Sequence, residues 1–450
     1  MPKKAHIFSC QQCGATSSKW TGRCESCGEW NSLVEEAVQT DKKAVVDRSK
    51  GTRLSAQTID KVAIDAISGR ISTGFEQLDA VLGGGLMPGG VSLLAGQPGM
   101  GKSTILLQVA LQVAQQKPVL YVSGEESSGQ VKLRAQRIAS QLPPSLSLAS
   151  STSADDIATS ILAGEYSFVV VDSMQTVAMA EIASAPGTVS QITNSANIII
   201  RAAKSSNTSV VLVGHVTKEG SIAGPKVLEH LVDVVLSFEG DRYGGFKLIR
   251  AAKNRYGSTG EVAILEMHGE GLKEAENASA SLLSERGASD GSVVFATMEG
   301  NRPLLVEIQA LVNSSHFGYP KRTASGFDIN RLTLLVAVLE KRTKLKLSDK
   351  DIFINVVGGL KLTDPASDLA ICMAIASAAS EMQVSDDAVV FGEVGLGGEV
   401  RRVVRADARI REAQKLGFRR AIAPKQSERT SFIEPVSNLR DVLNTYLSKK

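Results

Sequence analysis

Nine consecutive residues, Gly96-Gln97-Pro98-Gly99-Met100-Gly101-Lys102-Ser103-Thr104, restrict this chain more than any other feature, because G-x-x-x-x-G-K-[ST] works only in one local setting. An apolar run, Gly90-Val91-Ser92-Leu93-Leu94-Ala95, precedes it and reads as a buried strand. Ile105-Leu106-Leu107-Gln108-Val109-Ala110-Leu111 follows at once and reads as a helix. Strand, glycine loop and helix in that order turn backbone N–H groups and a helix N-terminus toward phosphate oxygens. The segment is therefore expected to bind ATP, with Lys102 reaching the β and γ oxygens and Ser103 holding Mg²⁺.

The alternation of strands and helices continues downstream. Pro118-Val119-Leu120-Tyr121-Val122-Ser123 runs into Gly124-Glu125-Glu126-Ser127, and Phe168-Val169-Val170-Val171 ends in Asp172. In a doubly wound parallel sheet the ligand lies beyond the carboxyl ends of the strands, so Glu125, Glu126 and Asp172 should point toward the phosphates. Asp172 suits support of Mg²⁺, and Glu125 suits activation of the attacking water. A further strand, Ser209-Val210-Val211-Leu212-Val213-Gly214, ends at His215, where a polar side chain can sense the γ-phosphate and pass its state to the loop that ends near Lys226.

At 450 residues the chain is too long for one core. Upstream of the phosphate loop, Cys10-Gln11-Gln12-Cys13 and Cys24-Glu25-Ser26-Cys27 form C-x2-C-x10-C-x2-C with Gly14 and Gly28 behind the pairs. Four thiolates close a tetrahedral Zn²⁺ shell and leave no open position, so this metal should fold its module rather than do chemistry. The two tryptophans, Trp20 and Trp30, lie in the same module, and at least one is expected to serve as its core. The fifth cysteine, Cys372, sits in an apolar run and reads as a buried thiol. No stretch of about 18 uncharged apolar residues is present to span a membrane, and Met1-Pro2-Lys3-Lys4-Ala5-His6 leads into no apolar signal core. A cytoplasmic setting without a membrane partner is expected.

Further on, Lys253-Asn254-Arg255-Tyr256-Gly257 completes a set of motifs. With the four-cysteine module, the phosphate loop and Gly124-Glu125-Glu126-Ser127, it resembles the bacterial RadA (Sms) recombination proteins, relatives of RecA and of DnaB-type helicases, over essentially the whole chain. Tyr256 stands where that family's Lys-Asn-Arg-Phe-Gly element has Phe, which keeps the aromatic ring. The resemblance implies a ring of six copies, action on single-stranded and branched DNA during recombinational repair, and RecA recombinase as a partner. It also implies that Lys253 and Arg255 couple hydrolysis to DNA and act on the nucleotide of a neighbouring subunit.

The last part of the chain mixes strand-like runs, Gly291–Ala296 and Phe353–Val357, with a small-residue helix, Asp368–Ser380, and looks like the Lon protease domain. Peptidase chemistry of that kind needs a Ser nucleophile and a Lys to take its proton. Alignment on Pro365-Ala366-Ser367-Asp368 and Gly392-Glu393-Val394 puts Ala366 and Asp407 at those two positions, so a scaffold without peptidase activity is expected. Charge remains on it: seven Lys/Arg against two acids from Phe317 to Lys346, and nine against three from Glu399 to Lys425, including Arg401, Arg402, Arg405, Arg409, Arg411, Arg419 and Arg420. Such runs in a chain of net charge +3 favour phosphate-backbone contacts.

The expected organisation is a zinc module at 1–34, a linker at 35–58, a RecA-like doubly wound α/β core at 59–270, a linker at 271–287 and a Lon-like α/β domain at 288–450. The expected function is a DNA-dependent ATPase and helicase-like motor that extends or migrates recombination intermediates. Its competitors are a KaiC-like ATPase switch acting on protein partners and an ATP-dependent protease.

Overall fold

The computed structural model describes residues 5–10, 15–38, 58–61, 69–216, 222–223, 227–240, 246–315, 319–425 and 431–448. The chain divides into two compact units, one of residues 1–239, 248–263 and 268–273, the other of residues 240–247, 264–267 and 274–450.

At the start of the first unit, β1 (Ala5–Cys10), β2 (Thr16–Ser17) and β3 (Leu33–Val38) form a sheet in the order β2-β1-β3, with Cys10 opposite Leu33. Cys10, Cys24 and Leu33 make its small core, with Phe8 and Ala15 packed against them. Trp20 and Trp30 are 58% and 68% exposed, which corrects the expectation that an indole fills this core. The thiols themselves occupy the centre of the module, and the rings are left outside it. Strand β3 also carries past the 35–58 boundary expected for a linker, and residues 39–57 lie outside the described set.

The large sheet is built from β4 (Val91–Gly96), β5 (Val119–Ser123), β6 (Leu146–Ser150), β7 (Phe168–Asp172), β8 (Ser209–Val216), β9 (Ile222–Ala223), β10 (Val234–Gly240), β11 (Phe246–Asn254), β12 (Val262–His268) and β13 (Gly271–Glu274). Its order is β13-β12-β11-β10-β4-β8-β7-β5-β6, with β9 on β8. The pairs β10·β4, β4·β8, β8·β7, β7·β5 and β5·β6 are all parallel. Every residue of β4, β5 and β7 is buried, as strands covered by helices on both faces must be.

The helices of this part are α1 (Glu76–Leu82), α2 (Lys102–Val113), α3 (Ser128–Ile138), α4 (Ala154–Leu162), α5 (Val189–Ser206) and α6 (Val227–Leu231). Ile157, Ile161, Ile192 and Ile199 of α4 and α5 pack with Leu93, Val169 and Leu212 of the strands. This is a doubly wound α/β core. The stretch 271–287, read as a linker from its small polar residues, instead holds β13 and α7 (Ala278–Leu283), whose Ala278, Ser279 and Leu282 are buried. Small residues there serve close packing, which composition alone does not distinguish from flexibility.

The second unit holds a seven-stranded sheet ordered β16-β17-β15-β14-β19-β22-β23. Its strands are β14 (Ser292–Glu299), β15 (Arg302–Ser314), β16 (Arg322–Ser325), β17 (Lys350–Val356), β19 (Ala388–Val390), β22 (Arg420–Pro424) and β23 (Ile433–Val436). Two short pairs flank it, β18 (Gln383–Val384) with β24 (Leu447–Ser448) and β20 (Glu393–Val394) with β21 (Val400–Arg401). Helices α8 (Ile329–Thr343), α9 (Asp368–Ser380), α10 (Ala406–Lys415) and α11 (Leu439–Tyr446) complete it. Helix α9 is buried at every position from Asp368 to Ser377, which is why its face is nearly all Ala, Ile, Leu and Met. Cys372 at its centre is enclosed, and burial pushes the thiol well above its usual pKa. No described helix is long and apolar enough to cross a membrane.

Candidate active site at the strand ends

Parallel register carries the ends of the central strands to one edge, where Gly96 stands opposite His215 and Ser123 opposite Asp172. Helix α2 starts there behind Gly101, whose φ of 107° only glycine adopts without strain. Helices α3, α4 and α5 are capped by the side chains of Ser127, Ser153 and Thr188, but no side chain caps α2. Its first N–H groups are thus left to an anion, and the helix dipole favours one. Lys102 is 4% exposed, and its Nζ donates to the carbonyls of Gly96 at 2.8 Å and Gln97 at 3.0 Å. Burial lowers its pKa, while the charges of Asp172 and Glu125 raise it. Ser103 follows in the first turn of α2, and Met100 anchors the loop in the core.

The two acids are held differently. Asp172 is 9% exposed, and the Tyr121 hydroxyl donates to its Oδ2 at 2.6 Å. Burial and then the Asp172 charge drive the Tyr121 phenol well above its usual pKa. The Glu125 side chain is 45% exposed, and its Oε1 accepts from Ser173 Oγ and lies 3.3 Å from His215 Nε2. Burial pushes the Glu125 carboxyl up, but hydrogen bonds from Ser173 and His215 and the charges of His215 and Lys102 outweigh it and hold it below the ordinary carboxylate value. His215 also places Nδ1 3.3 Å from Lys102 Nζ, so one imidazole bridges the lysine and the glutamate. Glu126 is turned to α3, where it pairs with Arg134, so the expectation that it faces the phosphates is corrected. Residues 217–221 and 224–226, between His215 and Lys226, lie outside the described set.

Lys253-Asn254-Arg255-Tyr256-Gly257 sits at the other end of the same strands. Arg255 N donates to Asp233 O at 3.2 Å, and Asp233 N donates to Val91 O at 2.9 Å, so Arg255 stands beside the first residue of β4. Gly96 is the last residue of that strand, about 16 Å away at 3.3 Å per residue. Lys253 Nζ donates to the carbonyls of Glu229 and Val232, both at 2.7 Å, closing the C-terminal turn of α6. Burial and the Arg255 charge lower its pKa against the pull of Asp233 and Glu229. Arg255 Nη1 pairs with the buried Asp233 at 3.2 Å. Burial and Asp233 push the Tyr256 phenol up to about 12. Arg70 Nη2 donates to Tyr256 O at 3.0 Å. A Cβ on Gly83 would lie 2.8 Å from Tyr256 O, and one on Gly257 2.8 Å from Gly83 Cα, so the glycine-rich lead into β4 is the seat of this motif.

In the N-terminal module the Sγ atoms of Cys10, Cys24 and Cys27 all lie within 4.8 Å of one another, and Cys10 and Cys27 are 3.6 Å apart. Four sulfurs placed tetrahedrally at about 2.3 Å from Zn²⁺ are separated by about 3.8 Å, so the three thiols fit such a site. Cys13, the expected fourth ligand, lies outside the described residues.

In the second unit Ala366 is buried and offers no nucleophile. The Ser367 hydroxyl donates to Asp364 O at 2.7 Å, and Asp407 is exposed and paired with Arg411 at 2.8 Å. The basic run is also less available than its sequence implies. Arg409 is fully buried and donates to Asp364 Oδ2 at 2.6 Å and to Ala296 O, while Arg420 is tied to Asp387 and Glu434. Those two are removed from the expected phosphate contacts, whereas Arg402, Arg405 and Arg419 are exposed.

Sequence reasoning missed Tyr121, Ser173 and Arg70. Tyr121 had one signal, a hydroxyl inside an otherwise aliphatic strand. Ser173 and Arg70 had none, since their partners lie 48 and 186 residues away.

Residues 60–221 match the family described as AAA domain, residues 8–35 the Rubredoxin metal binding domain, and residues 333–427 Subunit ChlI of Mg-chelatase. A DNA repair protein RadA of Bacillus subtilis (strain 168) is 49% identical over 431 residues, 94% of this chain and 93% of its own length. One from Aquifex aeolicus (strain VF5) is 44% identical over 98% of this chain and 99% of its own. One from Pseudomonas aeruginosa (strain PAO1) is 46% identical over 94% of each.

Proposed function

Since the chain belongs to the RadA family of DNA repair proteins, we propose that it is a DNA-stimulated ATPase that moves single-stranded and branched DNA and extends or migrates the branches of recombination intermediates. The observation that carries this reading is the gathering of Lys102, Glu125, Asp172 and His215 at the edge of the sheet where α2 leaves its N–H groups uncapped. The loop Gly96–Thr104 and Lys102 bind the phosphates and take up the negative charge that develops on them. Ser103 and Asp172 would hold Mg²⁺, which supplies neutralisation of phosphate charge when bound. Glu125 accepts a proton from the attacking water as its oxygen bonds to the γ-phosphorus and the bond to the β-phosphate oxygen breaks. His215, bonded toward both Lys102 and Glu125, senses whether the γ-phosphate is present.

Lys253 and Arg255 stand too far from their own phosphate loop to touch its nucleotide, which supports action on a neighbouring subunit in a ring of six. The exposed arginines of the Lon-like unit supply contacts to the DNA backbone that weaken with salt. The four-cysteine module binds Zn²⁺ and docks a partner such as the RecA recombinase. The peptidase alternative finds no nucleophile at Ala366 and no lysine at Asp407.

Phosphate release and strand displacement by wild type, Lys102→Ala and Lys253→Ala across DNA forms and salt test the reading. Stimulation by single-stranded DNA and its loss in Lys102→Ala are expected. Hydrolysis indifferent to DNA, with no shift of labelled single strands at low salt, would favour a switch acting on proteins.

A further inference from the structure

We propose that Tyr121 and Ser173 are positioning residues that assign the two acids different work, Tyr121 fixing Asp172 for the metal and Ser173 fixing Glu125 for the attacking water. This rests on the reading of those acids given above.

A phenol that is 1% exposed in an aliphatic strand costs stability unless its hydroxyl is bonded, and Phe would fill the same space without that cost. The Tyr121 hydroxyl meets Asp172 Oδ2. A hydroxyl has one proton, so it engages one carboxylate oxygen and leaves Oδ1 as the acceptor turned to other partners. The phenol thereby sets the rotamer of Asp172 and chooses which oxygen serves the metal. Ser173 is fully buried and donates to Glu125 Oε1, the oxygen that His215 also approaches. Glu125 is the more exposed acid and, untethered, would exchange among rotamers. Two contacts on Oε1 fix its carboxyl plane and keep Oε2 for a water. The acids sit at adjacent strand ends and share no hydroxyl, so each can be released without the other.

Full-length protein separates this from a folding role. A fluorescent ATP analogue is titrated at stepped Mg²⁺ concentrations, beside steady-state turnover and thermal melting. For Tyr121→Phe, the Mg²⁺ needed for half-maximal nucleotide binding should rise about 10-fold, with kcat recovering at high Mg²⁺. For Ser173→Ala, kcat should fall about 10-fold while nucleotide and Mg²⁺ half-saturation stay within about twofold of wild type, and Ser173→Thr should restore most of the rate.

Asp172→Asn and Glu125→Gln are the controls. If Glu125→Gln turns over like wild type, or Asp172→Asn binds with an unchanged Mg²⁺ requirement, the reading of the acids fails. If the controls behave as expected but Tyr121→Phe titrates like wild type, or Ser173→Ala turns over like wild type, the reading stands and this proposal is overturned. Binding and turnover that fall only in proportion to the folded fraction overturn it as well.

Discussion

The two α/β units each bury a basic side chain near a carboxylate, and they use it in opposite ways. In the first, Lys102 leans on two loop carbonyls and an imidazole, and the Glu125 beyond it is nearly half exposed. In the second, every nitrogen of Arg409 is engaged, by Asp364, Ala296 O and Val404 O, with the guanidinium 5.9 Å from the Phe391 ring centre. A charge whose partners are weak and replaceable can be turned over to a ligand. One whose partners are complete belongs to the fold. The contrast teaches that a basic residue in the sequence has no chemical meaning until its partners are known.

The largest effect that would sharpen the contrast is on turnover. Lys102→Ala should reduce phosphate release about 100- to 1000-fold, whereas casein incubated with wild type should stay intact, since the second unit presents Ala366. Casein cleavage abolished by Ser367→Ala would break it. Next comes Arg409→Ala, which leaves Asp364 without its partner and should cost the second unit about 3–5 kcal/mol in denaturant unfolding. A stability unchanged by that substitution would mean that Arg409 is not the structural member of the pair.

Part of this could be read without coordinates, because the signals were local. The phosphate loop, the aliphatic strands around it and the Asp368–Ser380 helix all declare themselves within a dozen residues. Long-range partners did not. That Arg409 is buried depends on Ala296 and Asp364, 113 and 45 residues away. Trp20 and Trp30 stand outside the core of a module whose centre is sulfur, a placement that residue type alone does not reveal. The 271–287 stretch holds a strand and a helix because small residues suit a tight contact as well as a linker. Glu125 and Glu126 are adjacent in sequence, and their partners tell them apart, Ser173 and His215 for one and Arg134 for the other.

A smaller effect is expected at the far end of the sheet. Lys253→Ala should cut strand displacement about 10-fold while ATP affinity stays within about twofold. Normal unwinding by this variant would limit Lys253 to capping α6. In the zinc module, Cys24→Ser with Cys27→Ser should abolish zinc in elemental analysis and leave the large sheet folded. Unchanged metal content would refute the site.

The mildest effect concerns pH. Because hydrogen bonds hold the Glu125 carboxyl below its ordinary 4.5, the base is ready across neutral pH and turnover should fall only as pH drops through that lowered value. Ser173→Ala removes one of the lowering contacts, so the acid limb should move toward higher pH. A limb that stays put would show that Ser173 does not bear on Glu125.

The most direct measurement is phosphate release by wild type and Glu125→Gln, with and without single-stranded DNA, beside ATP binding by both. Wild type should hydrolyse ATP faster on DNA, and Glu125→Gln should bind ATP as well as wild type yet release almost no phosphate. Wild-type turnover by Glu125→Gln, or no response to DNA of any form, would contradict the assignment of this strand edge as the engine of a DNA motor.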